Sequence, residues 1–273
     1  MLKNISVLRY PLILILAAFG IYTFMNLKFP KSAAGISDVM ISVNKSPEKY
    51  ELSVLFIGNS YTYYNNMPAM LIKMAQSDPN NHTHFIVQSA TRGGATLLDH
   101  LNNKKIPELI SSRKWTYVII QEQSAWAVLP SYINTLRSAR SLNELIKQNG
   151  SKTIIFTTWA REPESHWYKE AKFSFMRSPD YMQKQINEKT LDIAQKIGIN
   201  QIPIGDYWMA ALQQKSDFPL YTKDGSHPSA AGSYLSALIF YRYLSGQSVK
   251  QITYKPDSVT AQQADFLKNL IMD

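Results

Sequence analysis

Five short apolar runs, separated by stretches whose apolar residues recur every three or four positions, constrain this chain more than any other feature. The runs cover residues 52–57, 84–88, 117–121, 153–158 and 201–204. Between them, residues 67–77, 132–148 and 181–197 carry the spacing of amphipathic helices. Alternation of strand and helix is the pattern of a parallel sheet covered by helices on both faces. The expected fold is therefore α/β, a three-layer α/β/α sandwich with a mainly parallel sheet of about five strands. Residues 229–244 and 261–271 read as closing helices, the former begun by Pro228 in its favoured first-turn position.

The amino-terminal end has a different character. Lys3 and Arg9 precede an almost unbroken apolar stretch, residues 12–25, which is followed by Asn26, Lys28, Pro30 and Lys31. Residues 1–31 read as a signal anchor or a signal peptide. The stretch reaches bilayer-spanning length only if Tyr10, Pro11 and Leu27 are counted. Ser32-Ala33-Ala34 offers a small-residue cleavage site several residues beyond it. Residues 32–50 are polar and read as a tether, and residues 51–273 as one domain of a size that buries a substantial core. The expected location is the cell envelope, with the domain anchored outside the cytoplasm or exported. The net charge of +9 owes four basic residues to the segment before Ser32, which has no acid, so the domain itself is only modestly basic. Basic residues are scattered rather than clustered with aromatics, which argues against a nucleic-acid partner. With no cysteine, disulfides, thiol nucleophiles and cysteine metal sites are excluded. His82 and His84 with Asp78 lack a positioned third ligand, so no metal is expected.

Two segments carry the chemistry. Phe56-Ile57-Gly58-Asn59-Ser60-Tyr61-Thr62 puts a serine just past the first strand, and Asp224-Gly225-Ser226-His227-Pro228 lies far downstream. Open α/β sheets place their ligands at the carboxyl ends of strands. A serine hydroxyl is a weak nucleophile; it needs an imidazole to take its proton and a carboxylate to hold that imidazole's tautomer. Three residues separate Asp224 from His227, which in a tight turn lets the carboxylate reach one ring nitrogen while the other points to Ser60. Taken singly, Ser60 and His227 are more ordinary as helix caps and Asp224 as a turn residue.

Together the segments resemble the first and last blocks of the SGNH or GDSL-type esterase and lipase superfamily of serine hydrolases. Gly58-Asn59-Ser60 is similar to its Gly-Asp-Ser block, and Asp224 to Pro228 to its Asp-x-x-His-Pro block. The resemblance covers about residues 52–246, and the wider segments 56–68 and 224–232 look like one poorly characterised bacterial branch. It implies the flavodoxin-like SGNH fold, with Ser60 as nucleophile, His227 as general base and Asp224 as its orienting partner. It also implies an oxyanion hole from the Ser60 and Gly94 N–H groups, with Gly93 in reserve, since Arg92-Gly93-Gly94-Ala95-Thr96 follows the second strand. Two blocks depart from the pattern. Asn59 replaces an aspartate that is not catalytic. The Gly-x-Asn-Asp block is absent, and Gln121-Glu122-Gln123-Ser124 stands in its place. A glutamine amide can donate to an oxyanion as asparagine does, and Gln121 is preferred over Gln123.

The resemblance implies a serine ester hydrolase working through an acyl-serine intermediate without a cofactor. Removal of short acyl groups, acetyl above all, from a carbohydrate or glycan is the expected activity. An acyltransferase shares the same triad, and a glycan-binding module without turnover could share the fold. Trp126 and Trp159, which follow strands, are the expected sugar-packing residues, with Trp167 and Tyr168 in the insert before Tyr181. The expected partners are thus an acylated carbohydrate or small ester and, through the amino-terminal segment, the membrane.

Overall fold

The first strand feeds two separate cores, which is why its sequence is apolar without interruption. In β1 (Tyr50–Gly58), Val54 and Phe56 pack into one core while Leu55 and Ile57 pack into the other. A strand covered by helices on both faces must be apolar on both. The computed structural model describes residues 50–123, 125, 131–170 and 176–271. After β1 come α1 (Ser60–Tyr63), a 3-10 turn (Tyr64–Asn66), α2 (Met67–Ser77) and β2 (Thr83–Thr91). Then follow α3 (Leu97–Leu101), α4 (Lys105–Ser111), β3 (Tyr117–Ile120), α5 (Tyr132–Gln148) and β4 (Lys152–Phe156). A second 3-10 turn (His166–Tyr168) leads to α6 (Pro179–Ile197), β5 (Asn200–Ile202), α7 (Ile204–Gln214), α8 (Ala230–Ser245) and α9 (Ala261–Asn269).

The five strands pair in the order β2-β1-β3-β4-β5, every pair parallel. Residues of α2, α7, α8 and α9 fill one core, and residues of α3, α4, α5 and α6 fill the other. The expected three-layer architecture is the one observed. Its strand order reverses between β1 and β3, the switch point where the diverging connections of such sheets leave a crevice at the carboxyl ends. Gly58 stands opposite Thr91 on one side of β1, and Ile57 opposite Ile120 on the other. The turns that follow β1, β2 and β3 therefore meet at one place.

Three expectations change. The fifth strand ends at Ile202, and Ile204, expected to close it, instead opens α7 after Pro203. Ile204, Trp208, Ala211 and Leu212 make a buried helical stripe there, which the brief apolar run before it masks. Pro228 is not in the first turn of α8; it forms a bridge with Tyr221, and Ser229 caps the helix by accepting from the Ala231 and Gly232 amides. Tyr50, expected as the last residue of the polar segment 32–50, belongs to β1. The apolar stretch 12–25 lies outside the described residues, among which no helix is long and apolar enough to cross a membrane.

The start of α8 packs so closely that Gly232 has no room for a side chain. A Cβ there would stand 2.3 Å from the Leu220 carbonyl oxygen and 2.6 Å from Cη2 of the buried Trp208. Gly232→Ala should cost roughly 3 kcal/mol by overpacking. For a domain of this size that corresponds to a melting-temperature drop of roughly 6–12 °C. A thermal scan showing no change would mean that α8 can slide away from Trp208 and Leu220 freely.

Candidate active site

Asn59 makes the turn after β1. Its backbone is extended, with φ −130° and ψ −153°, and its Oδ1 accepts from the Tyr61 amide at 3.1 Å, capping α1. Its Nδ2 donates to the Ala95 carbonyl at 3.0 Å, tying this turn to the one after β2. Ser60 is thereby the first residue of α1, where a backbone N–H has no intrahelical acceptor. The Ser60 side chain sits in a residue only 7% exposed. Gly58 must remain small: a Cβ would lie 2.6 Å from Gln121 Oε1 and 2.7 Å from Thr62 Oγ1.

The carboxylate and imidazole come from one tight loop. The Tyr221–Pro228 bridge and the bond from Thr222 N to the His227 carbonyl, 2.8 Å, close it, and Gly225 takes the left-handed φ of 64° that it requires. Asp224 Oδ1 accepts from the Ser226 and His227 amides, each at 2.9 Å, and from Thr222 Oγ1 at 2.8 Å. Its Oδ2 lies 2.5 Å from His227 Nδ1, and His227 Nε2 lies 2.9 Å from Ser60 Oγ. An ionised carboxylate only accepts, so Nδ1 carries the ring proton and Nε2 is left to accept from the serine hydroxyl. Partial burial pushes the Asp224 pKa up, but hydrogen bonds from the imidazole, the two amides and Thr222 outweigh it and bring it down to about 2. Asp224 therefore stays charged across the neutral range.

Aromatic residues hold this imidazole, and sequence reading had not singled them out. Tyr64 stacks on His227 with centroids 4.5 Å apart and an interplanar angle of 13°. The edge contact with Tyr61 is at 5.8 Å. Asn65, in the left-handed region at φ 53°, reaches across to the Pro228 carbonyl at 3.1 Å and Ser233 Oγ at 2.9 Å. Tyr61 OH meets Ser226 Oγ at 2.7 Å and accepts a bond from Arg161 Nη1. The signal was present in the run Tyr61 to Asn66, which has too many tyrosines for a one-turn helix on its own account. His100 was also missed; its Nε2 donates to the Gly58 carbonyl at 2.7 Å, and burial pushes its pKa down, keeping it neutral.

Other expected residues lie as follows. Gly94 has φ 68° and occupies the turn closed by the bond from Ala95 N to Arg92 O, 3.1 Å, with Gly93 beside it. Arg92 N in turn donates to Gly58 O at 3.3 Å, so this turn borders Ser60's own. Gln121 is placed differently from expectation. Its Oε1 accepts from the Asn59 amide at 3.0 Å and from Thr62 Oγ1 at 2.9 Å, while its Nε2 donates to the Glu122 carbonyl at 2.7 Å. At 1% exposure the side chain is a buried brace beneath the nucleophile turn, and the oxyanion role assigned to it gives way to that one. Gln123 is half-buried, its amide donating to Glu122 Oε1 at 2.7 Å. Trp159 is not a sugar platform. It is fully buried between Tyr61, at 4.5 Å, and Trp208, at 3.8 Å, and donates to the Ser226 carbonyl at 3.0 Å. Trp126 lies outside the described residues.

Glu122 is the other carboxyl at the switch point. It is 8% exposed, and burial pushes its pKa up to about 7, against hydrogen bonds from the Gln123 and Leu97 amides and the Thr135 hydroxyl. Among the described residues no group of three metal-ligating side chains converges.

A serine–imidazole–carboxylate chain at the carboxyl ends of a 2-1-3-4-5 parallel sheet is set in the three-layer fold of the SGNH hydrolases, and the solved structures this chain resembles share that fold. A candidate SGNH hydrolase from Slackia heliotrinireducens is 28% identical, with TM-score 0.59, over 71% of this chain and 98% of that one. An acetylxylan esterase from Geobacillus stearothermophilus is 18% identical, with TM-score 0.52, over 75% and 95%. The particular family is DUF4886, to which this chain belongs; that domain of unknown function matches residues 80–273. A DUF4886 protein from Bacteroides uniformis superposes with TM-score 0.70 at 19% identity, over 81% of this chain and 93% of that one. No curated protein sequence matches.

Two measurements test this description of the switch point. Gln121→Ala leaves two buried donors without an acceptor, and should lower stability by on the order of 3 kcal/mol. An unchanged melting temperature with turnover down by about 100-fold would instead return Gln121 to the oxyanion. For Glu122 the sign follows from its raised pKa: the folded protein holds the proton more tightly than the unfolded chain. Stability is therefore lost as pH rises from the ordinary value of 4.5 to about 7. Glu122→Gln cannot titrate, so its stability relative to the parent should improve by roughly 3 kcal/mol between those two pH values. Parallel stability–pH curves would show that Glu122 is ionised in the folded protein throughout.

Proposed function

We propose that this protein is a serine ester hydrolase that removes short acyl groups, acetyl above all, from a carbohydrate. The observation that carries the reading is the unbroken hydrogen-bond chain from Ser60 Oγ through His227 to Asp224. Ser60 attacks the ester carbonyl as His227 Nε2 takes its proton, and the fixed Asp224 charge stabilises the imidazolium that forms. The oxyanion of the tetrahedral intermediate is held by the Ser60 N–H, at the head of α1, and by the Gly94 N–H. Collapse expels the sugar hydroxyl, protonated by His227, and leaves an acyl-serine. Water activated by the same imidazole then releases the acid. None of these steps requires a cofactor.

Support for the sugar substrate comes from the likeness to two acetylxylan esterases. Support for an envelope location comes from Lys3 and Arg9 preceding the apolar stretch 12–25. A panel of p-nitrophenyl esters from acetyl to octanoyl, with acetylated xylan beside it, tests the substrate class. Hydrolysis should fall sharply beyond butyryl. A fluorophosphonate should label Ser60 alone, and Ser60→Ala should lower turnover by on the order of 10⁴-fold or more while the protein stays folded. Full turnover by folded Ser60→Ala would end the assignment.

A further inference from the structure

Arg161 lies on the segment that follows β4, on the same sheet edge as Ser60. It is 5% exposed, yet among the described residues no carboxylate comes within ion-pair distance of its guanidinium. The neighbouring acid does not serve. Glu162 is held by the bond from its amide to the Gly225 carbonyl, 2.8 Å, and its Oε2 lies beside Gly225. Arg161 Nη1 donates to Tyr61 OH, and Nε is buried without a hydrogen-bond partner. Two aromatic faces flank the cation, Tyr61 at 5.9 Å and Trp167 at 5.2 Å. The main chain around it is pinned, since Tyr168 OH donates to the Arg161 carbonyl at 3.1 Å and Tyr221 OH to the Ala160 carbonyl at 3.0 Å.

A buried charge is ordinarily paired, because removing it from water costs far more than cation–π contacts return. Among the described residues this one has no ion-pair partner. Tyr61, which accepts from the guanidinium, directly follows Ser60 and makes an edge contact with the imidazole. A guanidinium presents a planar fork that matches a carboxylate.

We infer that Arg161 is the subsite for a carboxylate carried by the substrate, so that the ester cleaved at Ser60 belongs to an anionic molecule. The inference rests on the ester-hydrolase reading. The carboxylate sits either on the sugar, as in an acetylated uronide, or on the acyl group, as in a hemisuccinate. In both cases it completes the ion pair that the free protein lacks and holds the scissile carbonyl against Ser60. The chemistry at the ester is unchanged.

Binding to the Ser60→Ala protein tests the subsite without turnover, so its failure is distinct from failure of the hydrolase reading, which the fluorophosphonate and Ser60→Ala kinetics decide. Calorimetric titration with galacturonate against galactose, and with succinate against succinamate, should show at least a tenfold preference for the carboxylate in one pair. A preference in the first pair places the charge on the sugar, and in the second on the acyl group. Adding Arg161→Gln should remove that preference, and adding Arg161→Lys should keep only part of it, since the point charge survives without the fork. Where the glutamine variant does not fold, the parent titrations still decide: no preference for either carboxylate overturns the inference. So does a preference that a folded Arg161→Gln protein retains in full.

Discussion

One buried oxygen organises the switch point on which the site is built. Gln121 Oε1 extends from the end of β3 and receives both the Asn59 amide and the Thr62 hydroxyl. Those two donors bracket Ser60. The turn after β1 would otherwise be free to choose among several conformations, at a conformational-entropy cost of roughly 1–2 kcal/mol per residue fixed. Sharing one acceptor fixes it from the strand beside it. The close approach also excludes any side chain at Gly58. The nucleophile is therefore positioned by the sheet itself, through two central strands, rather than by a loop.

The second half of the triad arrives from 167 residues away and has to be registered against the first. Several independent ties cross that gap. Tyr61 bonds Ser226, Trp159 bonds the Ser226 carbonyl, and Asn65 bonds the Pro228 carbonyl. Each starts within a few residues of Ser60 or in the buried aromatic stack beneath it, and each ends within a few residues of His227. The rings of the stack, Tyr61 on Trp159 on Trp208, are nearly parallel and belong to the core that α8 also fills. Trp159, expected as a sugar-packing residue, thus belongs to the support of the imidazole. Positioning of this kind carries much of catalysis, because a nucleophile and base already in line need no further ordering at the moment of reaction.

How far the sequence discloses this follows from what is local and what is not. The layers, the parallel sheet and the first four strands were legible because burial on both faces leaves a continuous apolar run, as in residues 54–57. Ser60, Asp224 and His227 could be named because two short segments resemble the first and last blocks of one superfamily, and because the three-residue spacing of Asp224 and His227 suits a tight turn. The role of Gln121 was not legible, since an amide that braces a turn and one that binds an oxyanion have the same composition and the same position after a strand. Trp159 misled for a related reason: its place after β4 was right, but whether the ring faces outward or into the core depends on Tyr61 and Trp208, distant in sequence. The short α7 was hidden because its amino-terminal Ile204 continues the apolar run of β5 across Pro203.

Charge is distributed around the switch point by environment rather than by composition. Asp224 and Glu122 are both carboxyls at its edge, and their surroundings drive them in opposite directions. Four donors on Asp224, two of them backbone amides that cannot leave, keep it charged. Glu122 is more deeply buried, and desolvation overcomes its donors, so that near neutrality much of it is uncharged. In the proposed mechanism the permanent negative charge thus lies behind His227, beside the imidazolium, and is thinned out on the β3 side, where it would repel an oxyanion. Against that background the guanidinium beside Tyr61, with no carboxylate partner among the described residues, acts in a poorly screened medium, where a charge has several times the effect it has in water. The same burial that makes Arg161 costly to the free protein makes it discriminating toward an anion.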